Sequence, residues 1–244
     1  MTGLREREPR PRATAASAAP PVIVSSLRLS IRETDVLHFL GYPKGRRPAK
    51  RLEPLLMDVL HEARRLAAAR GAFRTFPVSS ASSVGLEPER ADGLVLGLVT
   101  VGAGIEQRVT ELLGRGEDSR ALILDAAGSA AAEEAAHRLS ARIVVGKTTS
   151  SADAACRISP GYGRWPLTAQ RALFARLPHE ALGVSLNPSM MMVPRKSISF
   201  ALWLGAQTAP RAGLSACDTC GLPRCRYRRS RGDTSPRSSR EVTS

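Results

Sequence analysis

The sequence predicts an α+β fold. Strand-like and helix-like runs are interleaved, but without the regular alternation that builds a parallel sheet. The run "GLVLGLVTVG", residues 93–102, is nearly continuous in β-branched residues and leucine, the pattern of a strand buried on both faces. Over residues 52–69, Leu52, Leu55, Leu56, Val59, Leu60, Ala63 and Leu66 recur at helical spacing opposite a charged face.

Taken in order, the alternation in "VIVSSLRLSI" predicts a strand, and "ETDVLHFLGY" a short helix stopped at Gly41, where a left-handed cap is easily adopted. "GYPKGRRPAK" is a loop before the amphipathic helix. "AFRTFPVSS" predicts an edge strand, because Pro77 cannot donate to a ladder. After the 93–102 strand, one helix is expected from Gly104 to about Leu113 and a second from near Ser119 through "ALILDAAGSAAAEEAAHRLSARI". Its stretch around Gly128, Ser129 and the next three alanines lets either a packed neighbour or a ligand approach closely. "PLTAQRALFARL" is a helix with Pro166 near its first turn, and "ALGVSLNPSMMMVPRKSISFALWLG" two strands joined around Asn187, Pro188 and Ser189.

The chain has 244 residues, 43% of them hydrophobic, enough to fill a core. Its 36 basic against 22 acidic residues give +14, the sign of a polyanion partner, but much of that charge sits at the ends. Residues 1–22 and 229–244 are rich in Arg, Pro and Ser and are expected to be a disordered basic head and tail. Between them, residues 23–208 make one folded domain and 209–228 a cysteine-rich segment. No apolar run approaches the roughly 20 residues of a membrane span, and the head lacks a signal-peptide core, so a soluble cytoplasmic protein is expected.

The stretch "RISPGYGRWP" carries the first chemistry. Pro160 holds Ser159 extended, and Gly161 and Gly163 permit positive φ, giving a shaped loop with exposed amides. Beside it, the fork of Arg157 suits bidentate capture of a carboxylate or phosphate, and Tyr162 and Trp165 offer faces for a flat ring. A plain turn before a helix would use the same residues.

Cys217, Cys220 and Cys225 have loop spacing that fits zinc or an iron-sulfur cluster. Cys156, directly before Arg157, is a candidate fourth ligand; a histidine, a water, an open cluster position or simply free thiols are the alternatives. The four histidines share no ligand spacing, and "VVGKTTS" lacks the first glycine of a phosphate-binding loop. The methionines of "SMMMVP" read as fillers of irregular core space rather than sulfur contacts to a cofactor, and Arg195 and Lys196 as a charged turn, with an acidic partner as the alternative.

Taken together, "VLHFLGY", "LDAAGSAAAEE", "RISPGYGRWPLTAQ", "MMVPRKSIS" and the terminal C-x2-C-x4-C-x-Y-R resemble the activation domain of cobalamin-dependent methionine synthase, and more closely the short stand-alone proteins related to it. The resemblance spans about residues 26–228. It implies a C-shaped α+β domain, a twisted antiparallel sheet with flanking helices, that binds S-adenosylmethionine in a shallow groove. It implies reductive methylation: oxidised cobalamin on a separate corrinoid methyltransferase regains its methyl group from S-adenosylmethionine and an electron from a donor such as a flavodoxin.

Carried over by position, Arg157 is implied to hold the methionyl carboxylate, Ser159 and Gly161 to contact the ligand through their backbone, and Tyr162 to anchor the loop. Glu133, with Glu134 as the neighbouring choice, is implied to meet the ligand's ammonium or hydroxyl groups. For Arg195 and Lys196 a corrin carboxylate is a further alternative to a plain charged turn. Three positions depart from the pattern. Asn187-Pro188-Ser189 stands in place of Thr-Glu-Ser, Leu202 in place of a ligand-contacting tyrosine with Trp203 beside it, and Arg164 where an acidic residue is frequent.

Two other functions fit the residues. The cysteines suit a metal or iron-sulfur redox accessory of corrinoid metabolism that has lost the ligand. A nucleic-acid-binding module using the basic tail is the weaker alternative, since the core lacks interleaved basic and aromatic residues.

Overall fold

A computed structural model describes residues 18–88, 91–147 and 157–205. Four strands, β1 (Val22–Val24), β2 (Arg70–Phe76), β3 (Gly93–Thr100) and β6 (Ser197–Leu204), form an antiparallel sheet in the order β1-β2-β3-β6. A two-stranded ribbon, β4 (Ser185–Leu186) with β5 (Met192–Val193), stands apart from it. The helices are α1 (Glu33–Phe39), α2 (Glu53–Leu66), α3 (Gly104–Gly114), α4 (Asp118–Lys147) and α5 (Gln170–Phe174). The α+β expectation holds.

Alternation along the central strands divides the core into two layers. Val95 and Val99 of β3, with Phe200, Leu202 and Leu204 of β6, join one cluster with α1 to α4. Leu94, Leu96 and Leu98, with Ala201 and Trp203, join a second cluster with Trp165, Leu173, Phe174 and Leu182. Side chains of successive residues point to opposite faces, so a strand covered on both sides is apolar along nearly its whole length. All eight residues of β3 are buried.

The 30-residue α4, about 45 Å long at 1.5 Å per residue, packs against α1, α2, α3, β3 and β6. Its alanines make this possible: Ala127, Ala131 and Ala135 are fully buried, and small side chains let neighbouring backbones come close. At the end of α1 the Gly41 N–H donates to the His38 carbonyl at 3.0 Å and the Tyr42 N–H to Leu37 at 2.9 Å, with Gly41 at φ 85. This pair of bonds closes the helix as a Schellman motif, as expected.

Several expectations need correction. β1 is three residues long rather than ten; beyond Val24 only the Leu27 N–H, bonded to Ala69 at 2.9 Å, still reaches the neighbouring chain. β2 is not an edge, because it pairs with β1 and β3, and Pro77 lies just past its end where no ladder bond is needed. The helix expected over "PLTAQRALFARL" is a 3-10 turn at Leu167–Ala169 followed by the five residues of α5. The turn around Asn187 joins only β4 to β5, and β6 is a third strand reached through Pro194 and Arg195.

Buried Glu62 of α2 fastens three helices together. Its Oε1 accepts from Arg108 Nε at 2.7 Å, and its Oε2 from Arg120 Nη2 at 2.6 Å. Burial pushes this carboxyl up, but the hydrogen bonds and charges of Arg108 and Arg120 outweigh that and hold it below the ordinary 4.5.

Candidate functional site: a polar groove on helix α4

Beyond β6 the chain adds one more strand-like contact. Ile158 bridges Ala201, its N–H donating at 3.1 Å and its carbonyl accepting at 2.8 Å. Ile158 packs into the second cluster, on the face away from α4. Period-two alternation therefore turns Arg157 toward α4, where Arg157 Nη2 donates to Glu133 Oε2 at 2.5 Å. The Arg157 guanidinium also lies over the Phe200 ring, 5.7 Å from its centroid. An aromatic face under a guanidinium adds cation–π attraction and fixes its plane.

Glu133 continues a polar line along α4. Asp125, Ser129 and Glu133 fall at i, i+4 and i+8, hence on one face, and all three line a groove of about 250 Å³ with Phe39, Arg195, Lys196 and Ile198. Lys196 Nζ lies 2.8 Å from Asp125 Oδ1 and donates to Ser129 Oγ at 2.9 Å. Its stem crosses the helix at Gly128, where an added Cβ would be 3.1 Å from Lys196 Cε and 2.9 Å from Ile105 Cγ2. The small residue thus serves close packing of a charged side chain. Lys196 is only 11% exposed, so it is no solvated turn cation, whereas Arg195 is 58% exposed. The Lys196 backbone N–H donates to Glu106 Oε1 at 2.8 Å, which ties the turn to α3.

Glu134 is buried and its Oε1 accepts from Arg138 Nε at 2.7 Å. Of the two neighbouring carboxylates, Glu133 is the one that lines the groove.

Within the loop after Arg157, the Tyr162 N–H donates to the Ser159 carbonyl at 3.1 Å and the Gly161 N–H to the Trp165 carbonyl at 2.8 Å. The Gly161 amide is therefore engaged inside the loop, and Gly161 has φ 91, a conformation that favours glycine. Trp165 anchors the loop. It is 4% exposed and its Nε1 donates to the Val84 carbonyl at 2.7 Å, while Tyr162 of the same loop is 47% exposed. Trp203 does not stand in for a groove tyrosine: it lies in the second cluster, and Leu202 faces the helices.

Three other residues of the sequence motifs are structural. Gln170 is buried, donates to the Met190 carbonyl at 2.7 Å and lies 3.2 Å from Ser199 Oγ, joining the ribbon turn to β6. Ser197 donates to the Pro194 carbonyl at 2.7 Å and sits 2.9 Å from Thr100 Oγ1. Of the three methionines in this run, Met190 is buried, Met192 packs partly buried against the second cluster and Met191 is exposed.

Cys156, Cys217, Cys220 and Cys225 lie outside the described residues. Among the described residues no group of three or more His, Cys, Asp or Glu is placed to hold a metal, and no helix is long and apolar enough to cross a membrane.

With this geometry in view, comparison with solved structures finds a match to the crystal structure of the MetH reactivation domain bound to AdoHcy, with TM-score 0.57 and 16% identity, covering 82% of this chain and 83% of that one. This chain shares that domain's fold. No family model and no curated protein matches the sequence.

Proposed function

We propose that the chain binds S-adenosylmethionine in the α4 groove and supports reductive methylation of the cobalamin of a separate methionine synthase or related corrinoid methyltransferase. The carrying observation is the meeting of Arg157 and Glu133, 24 positions apart in sequence, at a groove within a reactivation-domain fold. A guanidinium beside a carboxylate is complementary to an amino-acid head group. The ligand's carboxylate takes Arg157 and its ammonium takes Glu133, so one ion pair is exchanged for two and no buried charge is left alone.

The chemistry asks for placement rather than proton transfer. The methyl carbon leaves the sulfonium by in-line displacement and the C–S electron pair stays on sulfur, giving a neutral thioether. Arg157, stacked on Phe200, and Glu133 on α4 fix one end of the ligand, while Ser159, Gly161 and Tyr162 form the adjoining loop. The corrinoid protein supplies the methyl acceptor, and an electron donor such as a flavodoxin supplies the electron that makes it nucleophilic.

Calorimetry with S-adenosylmethionine tests the reading. Wild type is expected to bind saturably, and Arg157→Ala to bind about 10- to 100-fold more weakly, the loss of a charge-assisted hydrogen bond of roughly 1.5–3 kcal/mol. Absence of binding by wild type overturns the function. Undiminished binding by the variant overturns the role of Arg157.

A further inference from the structure

The amino-acid end of the proposed ligand uses Arg157 and Glu133, of which Glu133 lines the groove; a second polar cluster lines it as well. The second consists of Asp125, Ser129 and Lys196, two helical turns from Glu133 and so about 12 Å away along α4. An ammonium has three protons and no acceptor. At Lys196 two of them meet Asp125 Oδ1 and Ser129 Oγ, which leaves one N–H on a side chain only 11% exposed. The Asp125 side chain is 43% exposed, and its hydrogen-bonded oxygen is Oδ1, which leaves Oδ2 to accept. A desolvated donor therefore stands next to a carboxylate acceptor at the groove wall.

That pairing matches a group whose neighbouring atoms both donate and accept. A vicinal diol is such a group: one hydroxyl donates to the carboxylate while the other accepts from the ammonium. Carboxylates recognise ribose hydroxyls in this way in other nucleotide sites. Resting on the S-adenosylmethionine reading, we propose that Asp125 and Lys196 form the sugar-recognising end of the groove, with Asp125 accepting from the ribose 2′-hydroxyl. Lys196 contacts the neighbouring oxygen and also positions Asp125, held by Ser129, by the notch at Gly128 and by the bond from its backbone to Glu106.

The test compares S-adenosylmethionine with its 2′-deoxyribose analogue by calorimetry on the full chain. Wild type is expected to prefer the ribose form about 10- to 100-fold, the value of one hydrogen bond to a charged group. Asp125→Asn, which preserves shape, should shrink that preference to roughly threefold or less, as neutral hydrogen bonds are weaker. Arg157→Ala should weaken both ligands alike and leave the preference intact. Lys196→Met should also reduce the preference, and Asp125→Asn keeps the proposal testable if the lysine variant does not fold. A preference unchanged in Asp125→Asn, or absent in wild type, overturns the proposal.

Adenosine against 2′-deoxyadenosine, followed by NMR through the amides of Ser129 and Lys196, separates this inference from the ligand reading. Shifts that require the 2′-hydroxyl uphold the sugar site even if S-adenosylmethionine does not bind. Equal shifts, or none, overturn it.

Discussion

Replacing Gly97 by alanine should disturb core and site together. Gly97 faces Phe200 across the β3–β6 pair, and an added Cβ would lie 2.3 Å from Phe200 Cζ, 2.6 Å from Cε2 and 2.8 Å from Cε1. Carbon atoms in contact prefer about 3.5–4.0 Å, so the ring must move by roughly 1 Å or more. It has nowhere easy to go: Phe200 is fully buried within the α-helical cluster and carries the Arg157 guanidinium on its face. Overpacking of this kind costs about 2 kcal/mol, partly offset by up to ~1 kcal/mol from the stiffer unfolded chain. Phe200→Ala alone should cost about 3–5 kcal/mol through the cavity it leaves. In the double variant the new methyl enters that cavity, so Gly97→Ala should cost at least ~1 kcal/mol less there than in wild type. Urea unfolding of the four proteins, followed by circular dichroism, measures the coupling. Additivity within about 0.5 kcal/mol would refute the view that the ring lies on the glycine. A coupled pair also predicts weaker S-adenosylmethionine binding by Gly97→Ala, since the platform beneath Arg157 has shifted.

Two further outcomes follow from other parts of the molecule. Glu62→Gln should lower stability near neutral pH by about 3 kcal/mol, because Arg108 and Arg120 lose the carboxylate they share. Since the folded-state carboxyl is held below 4.5, its stabilisation is complete above that value and drains as pH falls through the lowered one. The gap between wild type and Glu62→Gln should therefore narrow on acidification, and a gap constant in urea unfolding down to roughly pH 3 would refute the pairing. For the cysteine segment, metal analysis of purified full-length protein should give about one zinc or iron site per chain, lost in Cys220→Ser. Metal-free wild type from zinc- and iron-supplemented cells would overturn the metal expectation drawn from the cysteine spacing and favour free thiols.

The parts of this fold that sequence periodicity reaches are those where one layer decides the pattern. β3 is buried on both faces, and its apolar run has few alternatives; α2 sets a single apolar face toward the core, and its spacing is helical. Legibility failed where tertiary partners override a local signal. Pro77 suggested an edge, but a proline just beyond a strand places no limit on the strand's own pairing, and β2 is flanked on both sides. The alternation holds from Leu27 to Ile31, where half-buried Leu27 and Leu29 and buried Ile31 alternate with exposed Arg28 and Ser30, but buried Val24 is out of phase with them and ladder pairing ends there. Alternation reports burial, whereas a strand also needs a neighbour.

The site divides along the same line. Arg157 stands out in sequence because an arginine beside a proline-glycine loop is unusual chemistry, and its extended neighbour Ile158 then dictates which face it must take. Lys196 was hidden because its meaning lies 67 positions away, at Ser129, and a lysine after an arginine near a turn looks like any solvated pair. One signal was present. Asp125, Ser129 and Glu133 repeat every fourth residue within a stretch of the helix, residues 125–136, whose other residues are alanine apart from Gly128 and Glu134. A buried, alanine-rich helix has few places for polar groups, and three on one face would strand their hydrogen-bonding capacity unless something polar lies opposite. That requirement calls for cations across the groove: Lys196 and Arg195 line it, and Arg157 pairs with Glu133.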